Sequence, residues 1–232
     1  MKVAVVSDFR EVLEKQLKPN GLQVDEKNPE VVLSLGGDGT FLLAEYKYPG
    51  IPKLFIKHYS DCKTCSKHDF STILQRLRKK NYKIFEWKKL EARINGELEF
   101  TSMNDINLHY KVPRAVRFRT FVNEKEVNGV IIGDGVVVAT PHGSSGYFQS
   151  ITKKTFKTGI GLAFNNVRNP LKHLLLSYLD KVKIKIERAP ALLAADSQSR
   201  VLELKDNDVV EISVSGQKAK IIQFDDLRVT KY

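Results

Sequence analysis

The chain has 232 residues, 42% hydrophobic and 28% charged, a length that builds one large domain or two small ones around a stable core. No apolar run approaches the roughly 18 residues of a membrane-spanning helix, and the opening Met1-Lys2-Val3-Ala4-Val5-Val6-Ser7-Asp8 is too short and too quickly charged for a signal peptide, so a first strand and a cytoplasmic location are expected. The net charge of +11 favours an anionic partner, either a phosphate-bearing substrate steered into a cleft or a nucleic acid. The lysines are scattered, at Lys79-Lys80, Lys88-Lys89, Lys153-Lys154 and from Lys181 to Lys185, with no basic stripe interleaved with aromatics and no recognised motif, which argues against nucleic acid.

The first third alternates strand and helix. Val3 to Ser7 reads as a strand, and Phe9, Val12, Leu13 and Leu17 recur at helical spacing until Pro19-Asn20-Gly21 stops the helix. Val31 to Leu35 is a continuous apolar run of the kind found in a buried parallel strand. It ends in Leu35-Gly36-Gly37-Asp38-Gly39-Thr40. Gly36, Gly37 and Gly39 permit positive φ and a close approach of backbone N–H groups to a ligand. The good helix formers from Phe41 to Glu45 then place a helix N-terminus, a natural phosphate site, beside that loop. Asp38 is the one ionisable group in it. An acid next to a phosphate-binding loop suggests phosphoryl transfer, with the carboxylate accepting a proton from an attacking hydroxyl; the bland reading is a tight strand-to-helix turn. Pro52 to Ile56 is a third strand, and Phe70, Ile73, Leu74 and Leu77 form one face of a helix that Asp69 or Ser71 can cap. This order predicts a doubly wound parallel sheet whose ligands sit at the carboxyl ends of the strands, where Asp38 falls.

Between those elements, His58, Cys62, Cys65 and His68 carry a Cys-x2-Cys spacing shared by zinc ligands and redox thiols. The four side chains are packed more tightly in sequence than the separated knuckles of most zinc sites. A loop with two free cysteines is the favoured reading, with zinc and a Cys62–Cys65 disulfide left open.

From about Tyr82 the pattern changes to period two. Lys83 to Ile94 is extended, Asn95-Gly96 is a hairpin turn, and Leu98 to His109 returns. Val116 to Val122 alternates, Asn123 to Glu126 turns, and Val127 to Ile132 pairs back. Later runs are Leu174 to Ile186, Ala191 to Leu204, and Val209 to Val214 followed by Lys218 to Phe224. The expectation is an all-β, sandwich-like second domain over 89–220 after an α/β nucleotide-binding domain over 1–88, with a site between them. Asn104-Asp105, in a strand-like stretch, can read a sugar diol or an adenine edge. Asp134-Gly135 precedes another buried run, Val136 to Ala139, and then Thr140-Pro141-His142-Gly143-Ser144-Ser145-Gly146-Tyr147, a loop of small hydroxylated residues suited to ribose hydroxyls or phosphate oxygens. His142 next to Ser144 and Ser145 is no serine-hydrolase elbow, because position 147 is Tyr; His142 would line a phosphate or shape the loop. Trp87, Phe118, Phe121 and Phe148 read as core or interface, and Tyr147 as core or as a base-stacking ring.

The Gly-Gly-Asp-Gly loop, the Asn-Asp pair and the Asp-Gly strand leading into Thr-Pro-x-Gly-Ser-x-x-Tyr, in this order, resemble the NAD kinase family from Val31 to about Gln198. The first motif is shared with diacylglycerol, sphingosine and phosphofructose kinases; the third is the more specific. The resemblance implies a kinase that transfers the terminal phosphate of ATP (or polyphosphate) to the 2′-hydroxyl of the adenosine ribose of NAD, with magnesium or another divalent metal accompanying ATP. It implies Asp38 as general base, Gly36, Gly37, Gly39 and Thr40 at phosphate, and Asp38, Gly39, Asn104, Asp105, Asp134, Ser145, Gly146, Tyr147, Ser150, Asp196 and Gln198 at NAD. Asp196-Ser197-Gln198 is similar to a late element that completes the site, often from a neighbouring subunit, so a homodimer or homotetramer is implied. Residues 221–232 would return to the first domain. A non-catalytic NAD or NADP sensor of the same fold and a lipid-type kinase sharing the first motif stand as alternatives.

Overall fold

A computed structural model of the chain describes residues 1–7, 10–57, 70–196 and 198–224, apart from the side chains of Val12 and Lys57. The cluster of His58, Cys62, Cys65 and His68, the cap at Asp69, Phe9 of the first helix and Ser197 lie outside the described residues. The chain divides into two units, Met1–Trp87 with Lys218–Tyr232, and Lys88–Gln217. Among the described residues no helix is long and apolar enough to cross a membrane.

In the first unit the chain runs β1 (Lys2–Ser7), α1 (Arg10–Leu17), β2 (Gln23–Val24), β3 (Val31–Gly36), α2 (Asp38–Lys47), β4 (Lys53–Lys57) and α3 (Phe70–Arg78). The strands lie in the order β2-β1-β3-β4, all parallel, and the returning chain at Ile221 pairs parallel with Lys53. Leu13 and Leu17 of α1 and Ile73, Leu74 and Leu77 of α3 pack on one face of this sheet with Val3, Val5, Leu33 and Leu54. Ala44 of α2 meets Ala4, Val6 and Val32 on the other. The strands are therefore apolar on both faces, as a doubly wound sheet requires. Ser71 is the second residue of α3 and lies 3.3 Å from Asn20 Oδ1, so it is not the cap the sequence suggested.

The largest fully buried polar side chain here is a lysine. Lys53 Nζ on β4 lies 2.5 Å from Glu45 Oε2 of α2 and donates to Tyr48 O at 2.6 Å and Ile51 O at 2.7 Å. The three acceptors match the three donors of an ammonium group. They tie the C-terminal end of α2, and the turn after it, to the sheet.

The second unit begins in β5 (Lys83–Ile94), whose first residues belong to the first unit, and continues through β6 (Glu97–Ser102), β7 (Asp105–Tyr110), β8 (Val116–Val122), β9 (Lys125–Gly133), β10 (Gly135–Ala139), α4 (Tyr147–Thr152), β11 (Ile160–Asn165), β12 (Leu174–Leu176), β13 (Val182–Arg188), β14 (Ala191–Ala195), β15 (Leu202–Leu204) and the first part of β16 (Val209–Gln223), which from Lys218 belongs to the first unit. One sheet, β12-β11-β10-β7-β14-β15, is antiparallel throughout. Facing it are β16-β13-β8-β9 and the hairpin β5-β6. Ile106, Leu108, Val136, Val138, Leu162 and Leu193 from the first layer meet Leu90, Phe118, Ile131, Ile184 and Ile212 from the second in one core, a sandwich packing. On the outer side of β10 and β11, Phe148 of α4 covers Val137, Ala139 and Ala163. β10 is thus buried on both faces, which explains its unbroken run of apolar residues.

Four sequence expectations change. The return strand drawn from Leu98 to His109 breaks at Met103-Asn104, because the chain leaves one sheet at Ser102 and enters the other at Asp105. Leu174 to Ile186 separates into β12 and β13, and Ala191 to Leu204 into β14 and β15, each pair interrupted by polar turn residues. Val209 to Val214 and Lys218 to Phe224 join as β16, since ladder bonds to neighbouring strands outweigh the weak strand preference of Ser215-Gly216. The Asn95-Gly96 turn is as expected, with φ of 51° and 93°.

Replacing Lys53 by Met should destabilise the protein by about 3–5 kcal/mol, because Glu45 is left buried without its cation. The double change Lys53→Met with Glu45→Leu should be milder than the single one. Urea unfolding reads both; a single variant within about 1 kcal/mol of wild type would show that the pair does not anchor α2.

Candidate active site

In the first unit the Gly-Gly-Asp-Gly segment forms the junction between β3 and α2. Gly36 ends β3 with φ of 155°, and a Cβ there would lie 2.4 Å from Thr40 Oγ1, so this position needs glycine. Gly37 is the N-cap, with φ of −90°, and brings no side chain to the helix end. The helix starts at Asp38, three residues earlier than the sequence suggested, and Gly39 needs no positive φ and has open space around it. Asp38, Gly39 and Thr40 therefore form the first turn of α2, with Asp38 and Gly39 exposed. A carboxylate sits on the positive end of a helix whose first N–H groups have no intrahelical acceptor.

In the second unit the site is built around the turn between β6 and β7. Asp196, just after β14, holds a positive φ of 48° and is half-buried. Its Oδ1 accepts from Asn104 N at 2.8 Å and Asp105 N at 3.2 Å, and its Oδ2 accepts from Met103 N at 2.8 Å. Ser102 Oγ lies 2.7 Å from Asp196 Oδ1 and 2.7 Å from Asp105 O, one hydroxyl proton serving both. From another direction Thr140 Oγ1 donates to Met103 O at 2.7 Å, Thr140 N donates to Asn104 O at 2.8 Å, and Gly143 N donates to Thr140 Oγ1 at 3.2 Å. A Cβ on Gly143 would lie 2.2 Å from Asn104 O, so the glycine is what lets the two loops touch.

Asp134 and Tyr147 complete the cluster. Asn166 Nδ2 donates to Asp134 Oδ2 at 2.9 Å, and Asn165 Nδ2 donates to the Tyr147 hydroxyl at 3.0 Å. Burial raises the Tyr147 phenol pKa, and the charges of Asp134 and Asp105 raise it further. A Cβ on Gly135 would lie 1.9 Å from Leu108 O, so the Asp-Gly step brings β10 against β7. Ser145 and Gly146 are exposed at the start of α4; Ser150 is exposed one turn on, its N–H bonded to Gly146 O. Gln198 Nε2 donates to Thr101 O at 2.9 Å, holding the segment after Asp196 to β6.

Several expectations are refined by these contacts. Ser144 is buried with its hydroxyl donating to Pro141 O at 2.7 Å, a loop-building role and not a nucleophile's. Burial pushes the His142 imidazole down to about 4, so it is neutral at pH 7 and shapes the turn; it brings no cation to a phosphate. Ser102, Asn165 and Asn166 were not singled out from sequence. Asn166 has φ of 44°, and an Asn-Asn pair after an apolar run is the one local signal that marked it.

Asp105 is the least comfortable group in the cluster. Burial first, and then the Asp196 charge, raise its carboxyl from 3.8 to about 6. The folded state holds this proton more tightly than the unfolded chain, so stability falls as pH rises from about 4 to about 6 and stays low above that. Asp105→Asn should therefore stabilise the protein at pH 7.5, on the order of 2 kcal/mol, and have little effect at pH 4. Thermal unfolding at the two pH values gives the comparison; an equal effect at both would contradict the assignment.

Residues 103–224 match the ATP-NAD kinase C-terminal domain family. The NAD kinase of Sulfurisphaera tokodaii is 30% identical, with the match covering 90% of this chain and 88% of that protein. The NAD kinase of Picrophilus torridus is 28% identical over 94% of this chain and 84% of its own. In fold, the chain is similar to the crystal structure of an NAD kinase from Archaeoglobus fulgidus in complex with ATP, with TM-score 0.79, 21% identity and all of both chains covered. It is likewise similar to yeast NADH kinase complexed with NADH, with TM-score 0.81, 16% identity, and 97% and 84% of the two chains covered. With a family match over more than half its length and a 30% identical relative spanning nine-tenths of it, the chain belongs to the NAD kinase family.

Proposed function

We propose that the chain phosphorylates the adenosine-ribose 2′-hydroxyl of NAD with ATP as donor, giving NADP and ADP. The observation that carries the chemistry is Asp38, an exposed carboxylate on the first turn of α2 directly after a glycine junction. The 2′-oxygen bonds to the γ-phosphorus as the bond from that phosphorus to the β,γ-bridging oxygen breaks. The hydroxyl proton goes to Asp38, and ADP departs with the electron pair. Phosphoryl transfer rests mainly on positioning and charge neutralisation, so one proton acceptor and a phosphate-binding backbone suffice on the protein side. Gly36, Gly37, Gly39 and Thr40 are assigned to the donor phosphates. Asn104, Asp105, Asp134, Ser145, Gly146, Tyr147 and Ser150 are assigned to NAD, on the strength of the family motifs they occupy.

Magnesium would arrive as part of the donor, which it binds through phosphate oxygens, keeping waters and taking few protein carboxylates. The single exposed carboxylate at Asp38 suits that mode, and among the described residues no three His, Cys, Asp or Glu form a metal cage of their own. A homodimer or homotetramer, which follows the family resemblance, and a cytoplasmic location, expected from the sequence, are part of the same reading. Polyphosphate in place of ATP is the alternative donor.

Purified protein with NAD, ATP and magnesium, assayed through an NADP-specific dehydrogenase, should form NADP. Asp38→Asn should lower kcat by about two or more powers of ten while leaving the affinity for NAD largely in place, the scale of a lost general base. Near-normal turnover in Asp38→Asn would remove the base assignment. NAD binding without NADP from any donor would move the reading to a non-catalytic sensor.

A further inference from the structure

Asp196 stands in the run of residues whose motif implies contact with NAD, yet the geometry gives its carboxylate to the protein. Three consecutive backbone N–H groups, of Met103, Asn104 and Asp105, converge on its two oxygens, and Ser102 Oγ is 2.7 Å from one of them. Asp196 is half-buried and sits in a left-handed conformation that costs a non-glycine residue about 1 kcal/mol or more. A second carboxylate, Asp105, lies close enough to feel its charge. Two acids side by side and shielded from water repel each other, and such costly pairs cluster at functional sites.

We infer that Asp196 is a positioning residue for NAD: its carboxylate holds the Ser102–Asp105 turn so that Asn104 and Asp105 face the dinucleotide, and it does not touch the ligand itself. The inference rests on the assignment of Asn104 and Asp105 to NAD made above. The sheet change at Met103-Asn104 is what makes the clamp necessary. Residues leaving one ladder and entering another have backbone donors without strand partners, and a buried donor needs an acceptor. Asp196 supplies the acceptor for three of them at once. It therefore sets the direction in which Asn104 and Asp105 leave the turn. Thr140 grips the same turn through Met103 O and Asn104 O.

The test is a graded series, Ser102→Ala, Asp196→Asn and Asp196→Ala, read as KM for NAD, KM for ATP, kcat, and NAD affinity by calorimetry. Asp196→Asn keeps one acceptor oxygen and loses the other; Asp196→Ala loses both. The expected result is a KM for NAD that rises in that order, by about tenfold or more in Asp196→Ala, with KM for ATP unchanged and a parallel loss of NAD affinity. Thr140→Val should shift the same constant, and its effect should be non-additive with Asp196→Asn because both act on one turn. If Ser102→Ala and Asp196→Asn lower only the melting temperature and leave NAD affinity and KM as in wild type, the clamp is structural and the inference fails. A wild-type chain that binds NAD without making NADP overturns the kinase reading while the affinity series still decides the role of Asp196. A wild-type chain that binds no NAD overturns both.

Discussion

A polypeptide that crosses from one sheet of a sandwich to the other must do something with the backbone groups it strands on the way. In this protein the crossing between β6 and β7 is solved by a single carboxylate, Asp196, which takes the N–H groups of Met103, Asn104 and Asp105. An orphaned buried N–H forfeits the full desolvation energy of the group, so the acceptor is a condition for this crossing and not an addition to it. The family's Asn-Asp motif lies on that crossing. Its geometry is consequently set by a residue about ninety positions away in sequence, on the far side of β14. The glycines at 135 and 143 belong to the same construction, each removing a Cβ that would collide with backbone of β7 or of the turn leading into it.

The first unit handles its polar groups by a similar rule with different chemistry. Lys53 is enclosed, but each of its three donors meets an oxygen. Asp38 is the opposite case, a charge left at the surface on the first turn of a helix, where the helix dipole favours an anion. Side chains that fasten elements together are buried and matched; the one assigned to chemistry is exposed. Asp105 falls between the two, buried enough for its carboxyl to titrate near 6 and held by a weak contact from Asn107 Nδ2 at 3.4 Å. A group kept in so unfavourable a place is the pattern of a functional residue more than of a structural one.

Much of the fold was readable from local pattern. The apolar run from Val31 to Leu35 and the helical stripe of Ile73, Leu74 and Leu77 reported a doubly wound sheet, because burial on both faces of a strand and one face of a helix leaves periods that sequence displays directly. The period-two segments after Tyr82 reported a β-sandwich for the same reason, and Asn95-Gly96 marked its hairpin through the positive φ that both residues tolerate. Strand ends were less legible. Whether Leu98 to His109 is one strand or two depends on which sheet each half joins, and alternation is the same in either case.

The sequence by itself determined the family, the order of elements, and the residue types at the glycine junction and the loop after β10, since each depends on local conformational freedom or on a motif of adjacent positions. The tertiary structure alone decided that α2 begins at Asp38, that Ser144 and His142 build the loop, and that Asp196 spends its oxygens on backbone. These are facts about partners far apart in the chain: Ser102 and Asp196, Thr140 and Met103, Asn166 and Asp134. A hydrogen-bonding side chain shows in sequence what it can donate or accept; which group it meets is settled by the packing of the whole domain.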